Sequence, residues 1–255
     1  MTPFEAIFQR QSIRHFRKDP VPETVLHKIE NFEAELIPIF PYVKMETKVC
    51  RAEEYHSKMP ALFGVQAPYY LAVYAQTLEG SRSNAGNLLE QIALYLHSRG
   101  IGTCFVGGMR PPKGAPTPEG MEFVIMLAFG LPKGELNRPA EKAHRESMER
   151  LCVYKQEPLR ETQELIEAAR LAPSSLNSQP WKFVVYRNRL HIFEVQKRQG
   201  GKRSAWQEIN MGIMMAHILM AAEEYWIDVT MTHSDNLAEK PVANYRYVGS
   251  VLVKP

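Results

Sequence analysis

At 255 residues the chain exceeds one typical domain and leaves room for one large domain or two fused small ones. Hydrophobic residues at 45% and charged residues at 23% are the balance of an ordinary folded protein, which excludes intrinsic disorder. The 31 basic and 28 acidic residues are interspersed, so the net charge of +3 excludes the concentrated basic stripe of a nucleic-acid binder and suits a small phosphorylated ligand better.

Thr2-Pro3-Phe4-Glu5 predicts a helix start: Thr2 can cap it, Pro3 suits the first turn, and Glu5 stands at the reciprocal capping position. Phe4, Ile7 and Phe8 then recur at helical spacing, and the helix is expected to end near Arg10–Phe16. A second helix is expected after Pro20 and Pro22, over Glu23–Leu36. Tyr69–Tyr74 reads as a buried strand and Gly86–Ser98 as a strongly apolar helix punctuated by Gly100 and Gly102. Phe123–Phe129 reads as another buried strand, closed by Gly130 and Pro132. Farther on, Thr162–Leu171 predicts a helix, Lys182–Tyr186 begins a strand, Asn210–Trp226 is a helix again and Tyr247–Val253 a last strand.

This order suggests an internal repeat. Laying Asn84 on Asn210 puts Gly86 on Gly212, Leu88 on Met214, Leu89 on Met215, Ile92 on Ile218, Leu94 on Met220 and Ile101 on Ile227, without a gap. Two apolar helices share a period by nature, but the paired Asn-x-Gly starts and the preserved element order favour a true repeat. The expected halves are 1–150 and 151–255. Cys50, Cys104 and Cys152 are far apart with no CxxC pair, which argues against a disulfide framework or a zinc site and for a reducing compartment. No metal site is expected. The opening MTPFEAIFQR has no apolar leader, and Met211–Ala222, the longest apolar run, is too short to span a bilayer. The expected location is cytoplasmic, away from membranes.

Two segments carry the functional signal. One is Arg10-Gln11-Ser12-Ile13-Arg14-His15-Phe16, the other Ala172-Pro173-Ser174-Ser175-Leu176-Asn177-Ser178-Gln179-Pro180-Trp181 after the helix LIEAAR. Together they resemble the FMN-binding signatures of the nitroreductase family. Gly100-Ile101-Gly102-Thr103, then Phe105-Val106-Gly107-Gly108, and the strand ending Ala128-Phe129-Gly130-Leu131-Pro132 are similar to it too. The resemblance implies an α+β, nitroreductase-like three-layer fold, with antiparallel-rich sheets flanked by helices and an internal pseudo-two-fold repeat.

It also implies a site. Arg10, Ser12 and Arg14 alternate in an extended segment and so share one face, offering with Gln11 bidentate cations and a hydroxyl to the FMN phosphate. Pro173 stiffens a wall on which Ser174, Ser175, Asn177 and Gln179 match ribityl hydroxyls and the polar edge of the flavin ring. Phe105, Val106, Gly107 and Gly108 form a third wall, glycine allowing close backbone approach. Many relatives have Glu-Gly in that turn; here Gly107 stands where the acid would be. Arg138, Lys142, His144 and Arg145 lie where the family often keeps another phosphate-binding cation, with Arg145 the candidate.

Ordinary nitroreductases are homodimers with FMN at the interface. In this chain the first half reads Glu33-Ala34-Glu35-Leu36-Ile37-Pro38 where APSSLN is expected, with two carboxylates in place of small polar groups. The second half shows no RxSxR across Met148–Cys152. One complete site remains, so the expectation is one FMN held between two halves of a monomer that acts as an internal pseudo-dimer. The implied activity is transfer of hydride from transiently bound NAD(P)H to a small electron-poor acceptor, a nitroaromatic or quinone, by a ping-pong cycle. No side chain need be a nucleophile or general base, although His15 and His97 lie nearby. The alternative is an FMN-binding carrier, sensor or degenerate relative with little turnover. No G-x-G-x-x-G follows a strand, so no separate dinucleotide domain is implied.

Overall fold

The computed structural model describes residues 1–55, 65–111, 114–196, 204–238 and 244–254. The chain divides into two compact units, Met1–Lys142 and Ala143–Pro255.

In the first unit, α1 (Pro3–Ile7) starts on the expected capping box: Thr2 Oγ1 accepts from the Glu5 N–H while a Glu5 carboxylate oxygen accepts from the Thr2 N–H. The unit continues through α2 (Glu23–Glu35), β1 (Met45–Arg51), β2 (Tyr69–Ala75), α3 (Ser81–Ser98), β3 (Gly102–Val106) and β4 (Glu122–Gly130). The strands form an antiparallel sheet ordered β1-β2-β4-β3. Every residue of β2 is buried, which explains why it reads as an unbroken apolar run. One side of the sheet carries α3; the other buries Tyr70, Ala72, Tyr74, Cys104, Met126 and Ala128 in a common cluster. The helix α3 begins at Ser81, five residues before the apolar run at Gly86. In its polar first turn Ser81, Ser83 and Asn84 are buried, with Ser81 Oγ donating to the Gln76 carbonyl.

The second unit holds α4 (Met148–Leu151), β5 (Cys152–Tyr154), α5 (Arg160–Arg170), β6 (Trp181–Tyr186), β7 (Arg189–Val195), α6 (Ala205–Glu224), β8 (Val229–Thr232), α7 (Asp235–Ala238) and β9 (Tyr245–Val253). Its sheet is ordered β5-β6-β7-β9-β8, antiparallel except for β5 beside β6. The expected α+β class with antiparallel-rich sheets and helices is what the structure shows. The helix α6 starts five residues ahead of the Asn210 boundary, on a second capping box formed by Ser204 and Gln207.

The order β1-β2-β4-β3 has its counterpart in β6-β7-β9-β8, and in each unit the long helix connects the second of these strands to the third. In both, the second and fourth strands pair with one register shift, at Val73/Tyr74 and at Ile192/Phe193. The helix starts also correspond. Asn84 Oδ1 accepts from the Phe40 N–H and its Nδ2 donates to the Phe40 carbonyl, both at 2.9 Å; Asn210 Oδ1 accepts from the Ser175 N–H at 2.9 Å. Phe40 therefore occupies the place in the first unit that Ser175 has in the second. Here the structure differs from the expected register: Glu33 and Glu35 belong to α2, and Glu33 accepts from the Thr47 hydroxyl. The residue that Asn84 holds is the aromatic Phe40, and the one that Asn210 holds is the small polar Ser175.

All three cysteines are free and buried. Among the described residues no group of His, Cys, Asp or Glu is placed to hold a metal ion, and no helix is long and apolar enough to cross a membrane.

Both anchoring asparagines are buried, so truncation strands a backbone N–H. Asn84→Ala and Asn210→Ala are each expected to lower the unfolding free energy by about 1–3 kcal/mol in urea titrations. Asn84→Asp keeps the acceptor and should recover part of that loss.

Candidate functional site

The Arg/Ser motif lies in the first unit, and the way α1 ends sets its course. The Arg10 N–H still donates to the Ala6 carbonyl at 2.8 Å, after which the backbone turns extended. Arg10 bridges to Asn137, Ser12 runs parallel to Thr103 of β3, and the Ile13 N–H donates to the Thr103 carbonyl at 2.9 Å. Farther on, the Arg17 N–H donates to Leu131 and the Lys133 N–H to His15, so the segment is clamped between β3 and the strand-like 131–138 stretch. Two glycines make room for it. A Cβ on Gly102 would lie 2.7 Å from Ile13, and one on Gly130 2.7 Å from Pro68 and 3.2 Å from Phe16.

The extended geometry is as expected, but the three polar residues differ in environment. Arg14 is exposed and Ser12 half-buried, whereas Arg10 is only 3% exposed. Its Nη1 lies 3.8 Å from Oε1 of Glu90, a fully buried carboxylate on α3. Arg138 stands beside it, its Nη2 donating to the Arg10 carbonyl at 3.2 Å. Burial, and then the charge of Arg10, pull the Arg138 pKa down. The N–H groups at Arg10 Nε, Arg10 Nη2 and Arg138 Nε are buried and have no hydrogen-bond partner among the described residues. Gln11 Nε2 donates to the carbonyls of Glu135 and Asn137 and ties the motif to the same stretch.

His97, also on α3, faces this cluster. Burial first, and Arg10 second, lower its pKa to about 4, against the opposing effects of Asn137 and Glu90. It is therefore neutral at physiological pH and is no general acid there. Cys104 on β3 is held as a thiol: burial raises its pKa more than Arg14, Arg10 and the Ser12 hydrogen bond lower it. Phe105 and Val106 close β3, and Gly107 and Gly108 form an exposed turn before the buried Met109.

The loop from Pro173 to Gln179 lies in the second unit, where α5 ends at Arg170 and a 3-10 turn covers Ser175–Asn177. Leu176, Asn177 and Gln179 all have positive φ, at 52°, 53° and 41°, a conformation side chains adopt only when their surroundings enforce it. The enforcement is visible. Arg145 donates through Nη1 to Asn177 Oδ1 at 3.0 Å and through Nε and Nη2 to the Leu171 carbonyl, both at 3.1 Å. Asn177 Nδ2 donates to the His144 carbonyl, Gln179 Oε1 accepts from the Glu146 N–H, and Ser174 Oγ accepts from the Gln179 N–H. Arg145, Asn177 and Gln179 thus shape the loop. The side chain left most open is Leu176, 92% exposed.

Of the four candidate cations after β4, Arg138 is the one that joins the Arg/Ser motif. Lys142 is exposed, and His144 and Arg145 belong to the second unit. Sequence reasoning missed Glu90, whose cue was the one acid in the largely apolar stretch Leu88–Leu94. It also missed Asn84 and Asn210 as loop anchors, although both mark the starts of the aligned helices.

Residues 3–222 match the family described as "Putative TM nitroreductase", and the chain belongs to that family. It is accordingly an oxidoreductase enzyme of nitroreductase type. Among solved structures, it is similar to a "putative nitroreductase" from Thermotoga maritima MSB8, at 23% identity and TM-score 0.66, covering 100% of this chain and 95% of that one. A nitroreductase family protein from Clostridium difficile 630 aligns at 15% identity and TM-score 0.51, over 62% of this chain and 100% of that one. No curated protein matches.

Two outcomes are expected. Because the folded-state pKa of His97 lies below 6.5, the unfolded chain binds more protons between pH 6.5 and 4. The stability gained by keeping His97 neutral is full above pH 6.5 and is lost as pH falls towards 4. Each tenfold change in proton affinity is worth about 1.4 kcal/mol, so the loss amounts to a few kcal/mol. Urea titrations across that window should show the fall, and His97→Gln should flatten it. Gly102→Ala should destabilise by about 1–3 kcal/mol through the clash with Ile13, with Ile13→Ala partly restoring the double variant.

Proposed function

We propose that the protein is an FMN-dependent oxidoreductase that takes hydride from transiently bound NAD(P)H and passes it to a small electron-poor acceptor, a nitroaromatic or quinone, in a ping-pong cycle. The observation that carries this reading is the surplus of guanidinium around the Arg/Ser motif. Arg10 lies beside Glu90 with Arg138 against it, Arg14 acts together with Arg10 on Cys104, and Arg10 Nε, Arg10 Nη2 and Arg138 Nε find no hydrogen-bond partner among the described residues. Such a cluster is stabilised by an anion, and a terminal phosphate dianion fits it.

Ser12 and Arg14 would hold the phosphate, with Gln11 fixing their backbone and Arg10 and Arg138 adding permanent charge from the buried side. The loop held by Arg145, Asn177 and Gln179 would offer Pro173, Ser174 and Ser175 to the ribityl chain and ring edge. Phe105 and Val106 would flank the ring, and Gly107 and Gly108 would let backbone N–H groups approach it closely. Bound FMN supplies the two-electron chemistry; the chain binds, orients and excludes water. With His97 neutral and Cys104 a thiol, no side chain here is tuned to relay protons, and hydride transfer asks for none.

Purified protein should be yellow, with one FMN per chain, and should run as a monomer in light scattering. Anaerobic NAD(P)H should bleach the colour and a quinone should restore it. A yellow protein that resists bleaching would instead be a carrier or sensor. Arg14→Met and Arg138→Met should each weaken FMN binding about 10- to 100-fold, the loss expected for one charge-assisted contact. Two tight FMN equivalents per chain would overturn the single-site reading.

A further inference from the structure

Glu90 sits in the middle of α3 and is fully buried, as are Leu89, Ile92 and Ala93 around it. Replacing a buried ion pair by well-packed apolar side chains is often neutral or stabilising. Stability alone therefore does not ask for an acid at this place. We propose that Glu90 is a positioning residue for recognition of the flavin phosphate: it holds Arg10 inward, and through it the course of residues 12–14 that presents Ser12 and Arg14 to the phosphate. The inference rests on the FMN reading and deepens it.

Arg10 stands where the chain changes from helix to extended backbone. Its N–H donates back to the Ala6 carbonyl at 2.8 Å, and α1 itself packs on α3. Its side chain runs inward, Nη1 lying 3.8 Å from Glu90 Oε1. Its carbonyl accepts from Arg138 Nη2 at 3.2 Å. Arg10 is thus held at its N–H, its carbonyl and its side chain, which leaves the next residues one course. Ser12 meets Thr103 of β3, the Ile13 N–H donates to the Thr103 carbonyl at 2.9 Å, and Arg14 emerges exposed.

At 3% exposed, Arg10 is too enclosed to touch a ligand. It acts through the chain that follows, so its fixed place is what counts. The separation of 3.8 Å from Glu90 exceeds that of a tight charged hydrogen bond, so attraction between charges in a poorly polarisable interior supplies the hold. A neutral side chain of the same shape would release it.

Position and bare charge make opposite predictions. A carboxylate near an anion site repels the anion, so a Glu90 that acted by charge alone would, on removal, tighten FMN. A Glu90 that acts by position would, on removal, loosen residues 12–14 and weaken FMN. Riboflavin, which lacks the phosphate, would not notice.

The test uses Glu90→Gln in the full-length protein, which keeps the side chain's shape and removes its charge. In flavin-free protein, hydrogen exchange at the Ile13 N–H is expected to quicken at least tenfold, with Leu71 and Val73 of β2 changed less than twofold. Calorimetric titration should show FMN weakened at least tenfold and riboflavin changed less than twofold. Unchanged exchange at Ile13, tighter FMN, or equal losses for the two flavins overturns the proposal. Breaking a buried pair strands Arg10, so where Glu90→Gln does not fold the double variant Arg10→Met/Glu90→Leu takes its place, removing both charges and leaving the net charge unchanged. Its preference for FMN over riboflavin should fall at least tenfold, and a preserved preference overturns the proposal. A wild-type protein that takes up neither flavin overturns the FMN reading instead, and exchange at Ile13 still decides whether Glu90 positions the motif.

Discussion

A carboxylate buried in the middle of α3 organises the first unit's polar chemistry. Glu90 is fully removed from water, and an ionised acid there needs cations and hydrogen bonds about it. Arg10 is drawn in to answer it, which fixes the chain as it leaves α1 and thereby the path of Ser12 and Ile13 along β3. Arg138 then packs beside Arg10, and the positive surroundings, added to burial, keep His97 neutral. The cluster thus sets two guanidinium groups, Arg10 and Arg138, beside the one carboxylate of Glu90.

The two units share a sheet order, a placement of the long helix and an asparagine at its start, yet the loops those asparagines hold differ in chemistry. In the second unit Asn210 steadies Ser175 within a loop forced into left-handed turns by Arg145. In the first, Asn84 steadies Phe40, and the loop is apolar. The backbone device is the same; the side chains it presents are not.

Long buried elements were legible in the sequence because apolar periodicity records burial directly: β2, α3, β4 and α6 all cover their apolar runs, the two helices starting five residues earlier on polar turns. The strands β1, β7 and β8 were not, since β1 and β8 are edge strands and β7 carries Arg189, His191 and Glu194 among its apolar residues. The site divides in the same way. Local motifs pointed to the candidate segments, and the extended course of residues 10–14 followed from spacing. What spacing could not show was the long-range partner of each side chain. Arg10 answers Glu90, eighty residues away, and Arg145 shapes the loop at Asn177 across thirty-two. The register of the first unit's loop needed Asn84 to define it, which moved the departure from Glu33 and Glu35 to Phe40.

The close packing of Ile13 on Gly102 has a consequence for how the protein stays apart from its own copies. The strand β3 stands at the end of its sheet, and its Thr103 backbone would otherwise offer the open hydrogen-bonding rim that invites another strand. The motif segment lies along that rim and uses its groups. A loosened N-terminal arm would therefore uncover a short sticky edge around Thr103–Val106. The same backbone groups that fix the course of residues 12 and 13 therefore also cover the edge of the sheet.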